Sequence, residues 1–323
     1  MQTEVPFDWQ RARWSQLVTA IDRDRLPHAL LFAGPAGVGK QLMAEALVRL
    51  LLCRDPVEGQ ACHQCKGCRL AESKAHPDVR FLSPEQAGGA IRVEQVRELT
   101  EFLQGSAQLA GRKAAVVSPA DALNTNAANA LLKCIEEPAP ERWVILVSAR
   151  VGALPLTILS RCQRVMVTPP SAEQARAFVR AEVQAGDDLD LALELGDAPL
   201  HVLELIQSGR IGHYRAWRKV LARCAIGQAD PLEVAAFEPA VPLVDLVAWW
   251  LRLNSAAVRA AVRADSQTRG ISRRPLGDPR ALLEHRDALE AAHRWLTRHG
   301  RPNRSMLLHK LALHWREAFA STA

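Results

Sequence analysis

Three groups of residues in this chain of 323 have the types and spacing to do chemistry. The first is Gly34-Pro-Ala-Gly37-Val-Gly39-Lys40-Gln41, which follows the apolar run His28–Ala33 and opens a helical pattern from Lys40 to Leu52. A G-x-x-x-x-G-K loop between a strand and a helix is a phosphate cradle. Its glycines let backbone N–H groups curl around phosphate oxygens, the helix N-terminus adds favourable potential, and Lys40 reaches the β- and γ-phosphates. Gln41 departs from the pattern, because a Ser or Thr hydroxyl would hold Mg²⁺ there and an amide oxygen replaces it poorly. In such sites a later strand ends in acidic residues for the metal and the attacking water. Here the strand candidate Lys113–Ser118 ends Val116-Val117-Ser118-Pro119, and the next carboxylate is Asp121. Unless another strand carries the acids, the loop binds nucleotide without turning it over.

The second group is Cys53, Cys62, Cys65 and Cys68, four of the seven cysteines. Four thiolates close a tetrahedral zinc site, and C-x2-C spacing lets two sulfurs converge on one ion; a closed site has no open position, so its role is structural. Zinc binds such knuckle peptides with about 10–16 kcal/mol, enough to order a loop. His63 inside the cluster is an alternative ligand, and reduced thiols without metal are the alternative to the site as a whole. Cys134, Cys162 and Cys224 read as buried small hydrophobes. The third group is Ser160-Arg161-Cys162, at the end of Leu154–Cys162 and between the last two strand candidates. On chemistry alone, Arg161 reads as a surface salt bridge before anything else. The sharper reading is a finger that serves a neighbour's nucleotide, a contact that supplies about 10³–10⁵ in rate.

The elements that must position these groups alternate in type. His28–Ala33, Asp78–Leu82, Lys113–Ser118, Trp143–Ala149 and Gln163–Val167 read as strands. Between them lie helical patterns, including Val93–Leu103 and Asn124–Glu136, the latter capped by Asn124 and stopped by Pro138. Strands alternating with helices imply a mainly parallel sheet covered on both faces. After Pro169 and Pro170 no strand is expected. Ser171–Ala185 is a helix, shorter helices follow with breaks at Gly186 and Gly196, and Gly209 and Gly212 mark a further break. Long helices are expected at 213–226, 241–263, 279–299 and 302–320, with Gly270–Pro279 a loop. The boundaries give an α/β domain over 1–168, a small helical domain over 169–210 and a helical bundle over 211–323.

Composition narrows the class. Hydrophobic residues at 48% and charged residues at 24% are the balance of a globular chain with more than one core. No apolar run approaches the ~18 residues of a membrane span, and the N-terminus lacks a signal-peptide core. The expected location is the cytoplasm, with no membrane partner, and there a cysteine cluster points to metal rather than disulfides. The net charge of +6 is uneven: residues 210–323 carry 19 Lys+Arg against 10 Asp+Glu, or +9, and 169–209 carry 2 against 8, or −6. A basic third attracts nucleic acid; the plainer account is that Arg is the preferred surface cation here. Trp249 and Trp250 read as core or interface rather than base-stacking platforms.

Taken together, His28-Ala-Leu-Leu, the cysteine cluster, Asn129-Ala-Leu-Leu-Lys133 through Glu136-Glu-Pro138, and Ser160-Arg-Cys162 resemble the delta-prime subunits of the bacterial DNA polymerase III clamp loader. Asn303-Arg304 and the following leucines fit the family's last helix more weakly. The resemblance implies an AAA+ fold, a RecA-like parallel sheet with a P-loop, followed by a small helical lid and an all-α collar. It implies a pentameric ring with the gamma/tau ATPase subunits and the delta subunit, which loads the sliding clamp onto primed DNA. It implies a structural Zn²⁺ on the four cysteines and an Arg161 that points into the adjacent subunit's ATP site. Ser118 and Pro119 occupy positions where active relatives carry Asp-Glu, and Gly196–Leu205 lacks the arginine that active relatives place there. Lys40 is retained where some family members lack it, so ATP binding without hydrolysis stays open. Two rivals remain at this stage. One is an active P-loop NTPase or nucleotide kinase with a zinc-stabilised lid; the other is a zinc-dependent nucleic-acid-binding module.

Overall fold

The computed structural model describes residues 6–86, 88–109, 111–183, 191, 198–237, 241–267, 277–299 and 303–320. The chain forms two compact units, residues 1–177 with 198–201, and residues 178–197 with 202–323.

The first unit is built on five parallel strands: β1 (Ala29–Ala33), β2 (Val79–Leu82), β3 (Lys113–Val117), β4 (Arg142–Ser148) and β5 (Gln163–Met166). Their order across the sheet is β2-β3-β4-β1-β5. β1 and β3 are buried at every position, which is why they read as unbroken apolar runs rather than as alternation. Side chains still alternate between faces. Leu30 and Phe32 of β1 pack with Trp14 and Leu17 of α1 (Arg11–Asp22) and Leu47 and Leu51 of α2 (Lys40–Leu52). Leu31 packs on the opposite face, with Leu99 of α4 (Val93–Gln104) and Leu131 and Ile135 of α5 (Thr125–Glu136). The helix α3 (Lys66–Glu72) lies in the α2–β2 connection. Parallel register brings the C-terminal ends of the strands together: Ala33 stands beside Ser148, and Val117 beside Leu146. Ligands of open parallel sheets bind outside these ends.

Asn124 caps α5 as its residue type implies, its Oδ1 accepting from the Ala127 N–H at 2.8 Å. The sequence reading omits α1, α3 and α6 (Leu156–Leu159). α3 and α6 are too short for apolar periodicity to show, and α1 buries only Trp14 and Leu17. The helix expected over Ser171–Ala185 spans Ala172–Glu182 (α7), and α8 covers Pro199–Gln207. The breaks expected at Gly186 and Gly196, and most of the Gly270–Pro279 loop, lie outside the described residues.

Helices α9 (Ile211–Ala225), α10 (Pro231–Ala235), α11 (Leu243–Gln267), α12 (Pro279–His299) and α13 (Arg304–Ala320) follow in the second unit, with no strand among the described residues. α10 is the one the sequence reading lacks; Asp230 caps it, accepting from the Leu232 N–H at 2.8 Å. Trp249 and Trp250 are buried. Trp250 meets Trp217 edge-on, with centroids 5.6 Å apart, and Trp315 at 6.0 Å. These are core aromatics in favourable edge-to-face contact, not surface platforms. No described helix is long and apolar enough to cross a membrane.

Candidate phosphate loop, metal centre and arginine

The glycine-rich loop leaves the end of β1 and enters α2 as its spacing implies. Gly34 is required by close approach: a Cβ there would lie 2.2 Å from the Val167 carbonyl oxygen. Gly39 has φ +86°, and a Cβ would meet the Phe7 ring at 2.6 Å. The turn Asp8–Gln10 props this loop from below. Trp9 Nε1 and Gln10 Nε2 both donate to the Val38 carbonyl, at 3.0 and 2.9 Å. On the other side, the Leu200 N–H at the start of α8 donates to the Gly37 carbonyl at 3.2 Å. Lys40 is buried, and its Nζ donates back to the Pro35 carbonyl at 2.5 Å. Burial lowers the ammonium's pKa and the Asp121 carboxylate opposes that shift.

Asp121 was visible in the sequence only as a carboxylate arriving late after β3. The structure places it at the strand ends, side chain 6% exposed, with its oxygens taken. Oδ1 accepts from Ser148 Oγ at 2.9 Å and from the Ala149 N–H at 3.3 Å; Oδ2 accepts from Arg150 Nε at 2.9 Å. Burial pushes this acid up, and the Arg150 and Ser148 bonds outweigh it and hold it below its usual range. Gln41 Nε2 donates to Glu45 Oε1 at 2.8 Å, so the loop offers a metal only one amide oxygen, Oε1. The Mg²⁺ site of a hydrolysing P-loop protein needs a hydroxyl and free carboxylates. The residues here do not fit it.

The four cysteines come together as expected. Their Sγ atoms all lie within 4.8 Å of one another, and Cys62 and Cys68 are 3.9 Å apart. A tetrahedron with Zn–S bonds of about 2.3 Å has edges of roughly 3.8 Å, so this set fits one four-coordinate ion. Backbone N–H groups already point at the sulfurs: Cys62 N–H to Cys53 Sγ at 3.3 Å, and Cys65 and Cys68 N–H to the preceding thiol of each C-x2-C pair at 3.4 Å. Burial raises the Cys65 thiol, but the Arg54 and Cys68 N–H groups prevail and bring it down to about 6. His63 adopts φ +57° in the turn and supplies no atom to the cluster. The knuckle is anchored to α1, where Trp14 Nε1 donates to the Gly59 carbonyl at 3.1 Å. Of the remaining cysteines, Cys162 and Cys224 are buried, and Cys134 is half-buried and donates to Thr100 Oγ1 at 3.2 Å.

Arg161 follows α6. Its Nε lies 2.5 Å from Glu136 Oε1, and its Nη1 donates to the Thr157 carbonyl at 3.2 Å and Ser160 Oγ at 3.3 Å. Both side chains of the pair are more than two-fifths exposed, at 42% and 44%. Beside it, Leu156 is 82% exposed. Sequence reasoning missed the Asp121–Ser148–Arg150 assembly and the support of the loop by Trp9 and Gln10. No spacing rule marks either, because each joins residues from separate elements.

Comparison with known proteins places these features. The family described as DNA polymerase III, delta subunit matches residues 9–171. The DNA polymerase III subunit delta' of Pseudomonas aeruginosa is 35% identical, with 96% of this chain and 97% of the relative aligned. That of Haemophilus influenzae is 31% identical over 80% of this chain and 79% of its own. The Escherichia coli subunit delta' is 37% identical over 58% and 56%. Among solved structures, a gamma subunit-related protein of Thermotoga maritima aligns over 95% of this chain and 99% of its own at 18% identity, with a TM-score of 0.46. The chain itself shows a parallel sheet ordered β2-β3-β4-β1-β5, a glycine-rich loop after β1 and a helical C-terminal region. Matched along nearly the whole length of both proteins, the chain belongs to the DNA polymerase III delta' subunit family.

Proposed function

We propose that this chain is the non-hydrolysing, stator-like member of a DNA polymerase III clamp loader, and that it lends Arg161 to a neighbour's ATP site. The observation that carries the silent-site reading is the state of Asp121, whose carboxylate is already held by Ser148, Ala149 and Arg150. With Ser118 and Pro119 at the end of β3, that strand end supplies no acid to orient an attacking water. Arg161 supports the trans role. Its pair with Glu136 is half-exposed, and such pairs hold by only about 0–1 kcal/mol, so a phosphate that develops charge outcompetes the carboxylate. In this reading Gly34, Gly37, Gly39 and Lys40 form a phosphate loop that retains ATP without turnover.

The four cysteines would hold one structural Zn²⁺, which would supply a fixed tetrahedral clasp and no chemistry. Residues 1–168 serve as the AAA+ domain, 169–210 as the lid and 211–323 as the collar that joins the oligomer. The partners are gamma/tau and delta subunits, with the sliding clamp and primed DNA in the assembled complex, acting in the cytoplasm. The test is DNA-stimulated ATPase of a reconstituted loader with clamp and primed DNA, comparing wild type with Arg161→Ala and with this chain alone. The expected result is silence from the lone chain and a loss of roughly tenfold or more in the complex. An unchanged rate removes the finger; turnover by the lone chain overturns the silent site.

A further inference from the structure

Between α3 and β2 the chain runs His76-Pro77-Asp78, and both polar residues are buried, His76 at 2% exposed. Asp78 is spent on structure. Its Oδ1 accepts from the Gln108 N–H at 2.7 Å, its Oδ2 from the Leu109 N–H at 2.8 Å, and its carbonyl from the Ala114 N–H at 3.0 Å. The Asp78 N–H in turn donates to His76 Nδ1 at 3.1 Å. A ring nitrogen that accepts carries a lone pair, so the neutral imidazole has its proton on Nε2. That Nε2 enters no described hydrogen bond. A buried donor without an acceptor is rare and calls for a partner, and the bonds at Nδ1 and Asp78 hold this ring in one orientation.

Gly67, in the first turn of α3, marks where Nε2 stands. A Cβ on Gly67 would lie 3.7 Å from His76 Nε2, 3.8 Å from Cys65 Sγ and 2.9 Å from the Leu52 carbonyl oxygen. The imidazole donor and the sulfur thus flank one bare α-carbon, and the Leu52 carbonyl leaves no room there for a side chain. Two acceptors face Nε2–H in this corner, the carbonyl and the sulfur. Charge decides between them. Four thiolates around one divalent ion leave two negative charges over, and a charge is buried only where donors meet it. An N–H bond to a charged acceptor is roughly twice as strong as one to a neutral carbonyl. Cys65 Sγ already accepts from the Cys68 N–H at 3.4 Å, so a second donor completes what the backbone begins.

We propose that His76 is a positioning residue of the cysteine knuckle, its Nε2–H donating to the Cys65 thiolate when the cluster holds its metal. The contact ties α3 and its cysteines to the segment that starts β2. The proposal rests on the zinc reading above and extends it to a residue that the cysteine spacing does not mark. Outer partners of metal ligands are worth roughly 10–100-fold in metal affinity.

The test replaces His76 in three ways in the full chain. Each protein is loaded with Co²⁺, to read the sulfur-to-metal charge-transfer band, and with Zn²⁺, to read affinity in competition with a chelator. His76→Phe removes both ring contacts. His76→Asn keeps an acceptor for the Asp78 N–H but is too short to donate to the cluster, and His76→Gln returns an N–H at about the reach of Nε2. The Phe and Asn variants are expected to move the cobalt band to longer wavelength, because a thiolate that loses an N–H gives up electrons more easily. They are also expected to weaken zinc binding roughly tenfold or more. The Gln variant is expected to stand near wild type in both readouts. Circular dichroism checks folding, and if the Phe variant folds poorly the Asn and Gln variants decide. An unmoved band and unchanged affinity in the Asn variant overturn the proposal and give Nε2–H to the Leu52 carbonyl or Asp78 its whole role. A Gln variant as impaired as Asn also overturns it. Wild type that takes up no metal overturns the zinc reading and this proposal together, so the wild-type measurement tells the two failures apart.

Discussion

Arg161, just past the end of α6, and Glu136, the last residue of α5, form an ion pair with Nε 2.5 Å from Oε1. The two residues come from separate segments of the chain, so the pair fixes where the arginine stands without burying it. Removing it should hardly affect folding: Arg161→Ala is expected to change unfolding free energy by at most about 1 kcal/mol, read from urea denaturation of the lone chain. A larger loss would mean that the side chain is part of the core, and would complicate any kinetic effect in the complex.

The cysteine knuckle predicts one equivalent of zinc per chain, measured by elemental analysis after purification without added metal. Replacing Cys53, Cys62, Cys65 or Cys68 by Ser should each remove most of it, since a tetrahedral site tolerates no missing thiolate. Cys134→Ser should keep it, because Cys134 bonds Thr100 and stands outside the cluster. Full zinc in Cys65→Ser would show that His63 takes over.

His285 is a buried titratable group in the second unit, 1% exposed, its ring 5.3 Å from Trp250 and 5.4 Å from Trp315. Burial first, and the neighbouring His314 second, depress its pKa to about 3. The folded chain therefore keeps the imidazole neutral, while the unfolded chain protonates it near pH 6.5. The stability that depends on it is present above about pH 6.5 and drains away as the pH falls toward 3, at about 1.4 kcal/mol per unit. Between pH 6.5 and 5 the expected loss is about 2 kcal/mol, measured as the difference between wild type and His285→Phe in chemical unfolding. Parallel curves for the two proteins would show that the ring finds a proton acceptor.

Asn124→Ala should cost about 1 kcal/mol, because the Ala127 N–H then loses its acceptor at the start of α5. Asn124→Asp should restore it. The measurement is the urea midpoint at constant slope, and a variant as stable as wild type would mean that water replaces the cap at no cost.

What could be read from the sequence divides along a physical line. The strands β1, β3 and β4 were legible because a parallel sheet buried on both faces leaves continuous apolar runs in the chain. The cysteine cluster was legible because its four thiols are close in sequence, and the glycine-rich loop because its glycines and lysine are contiguous. Asp121, Ser148 and Arg150 were not legible as a unit. They come from the ends of two strands that only sheet register brings together, and Arg150 has no feature that separates it from other surface arginines. The short helix α6 escaped for a different reason: four residues give no periodicity, so only its outcome, the position of Arg161, marks it.

The Val38 carbonyl accepts from both Trp9 and Gln10, and four residues on from Gln10, Trp14 reaches the Gly59 carbonyl. The first turn and helix of the chain thus behave as a foundation course shared by two structures that are far from it in sequence. A version of this protein shortened by its first ten residues would lose no motif. It would nonetheless leave the glycine-rich loop unsupported at Val38, while the knuckle kept its own anchor. Where such a shortened chain still holds metal but loses its loop, the N-terminal segment is the reason.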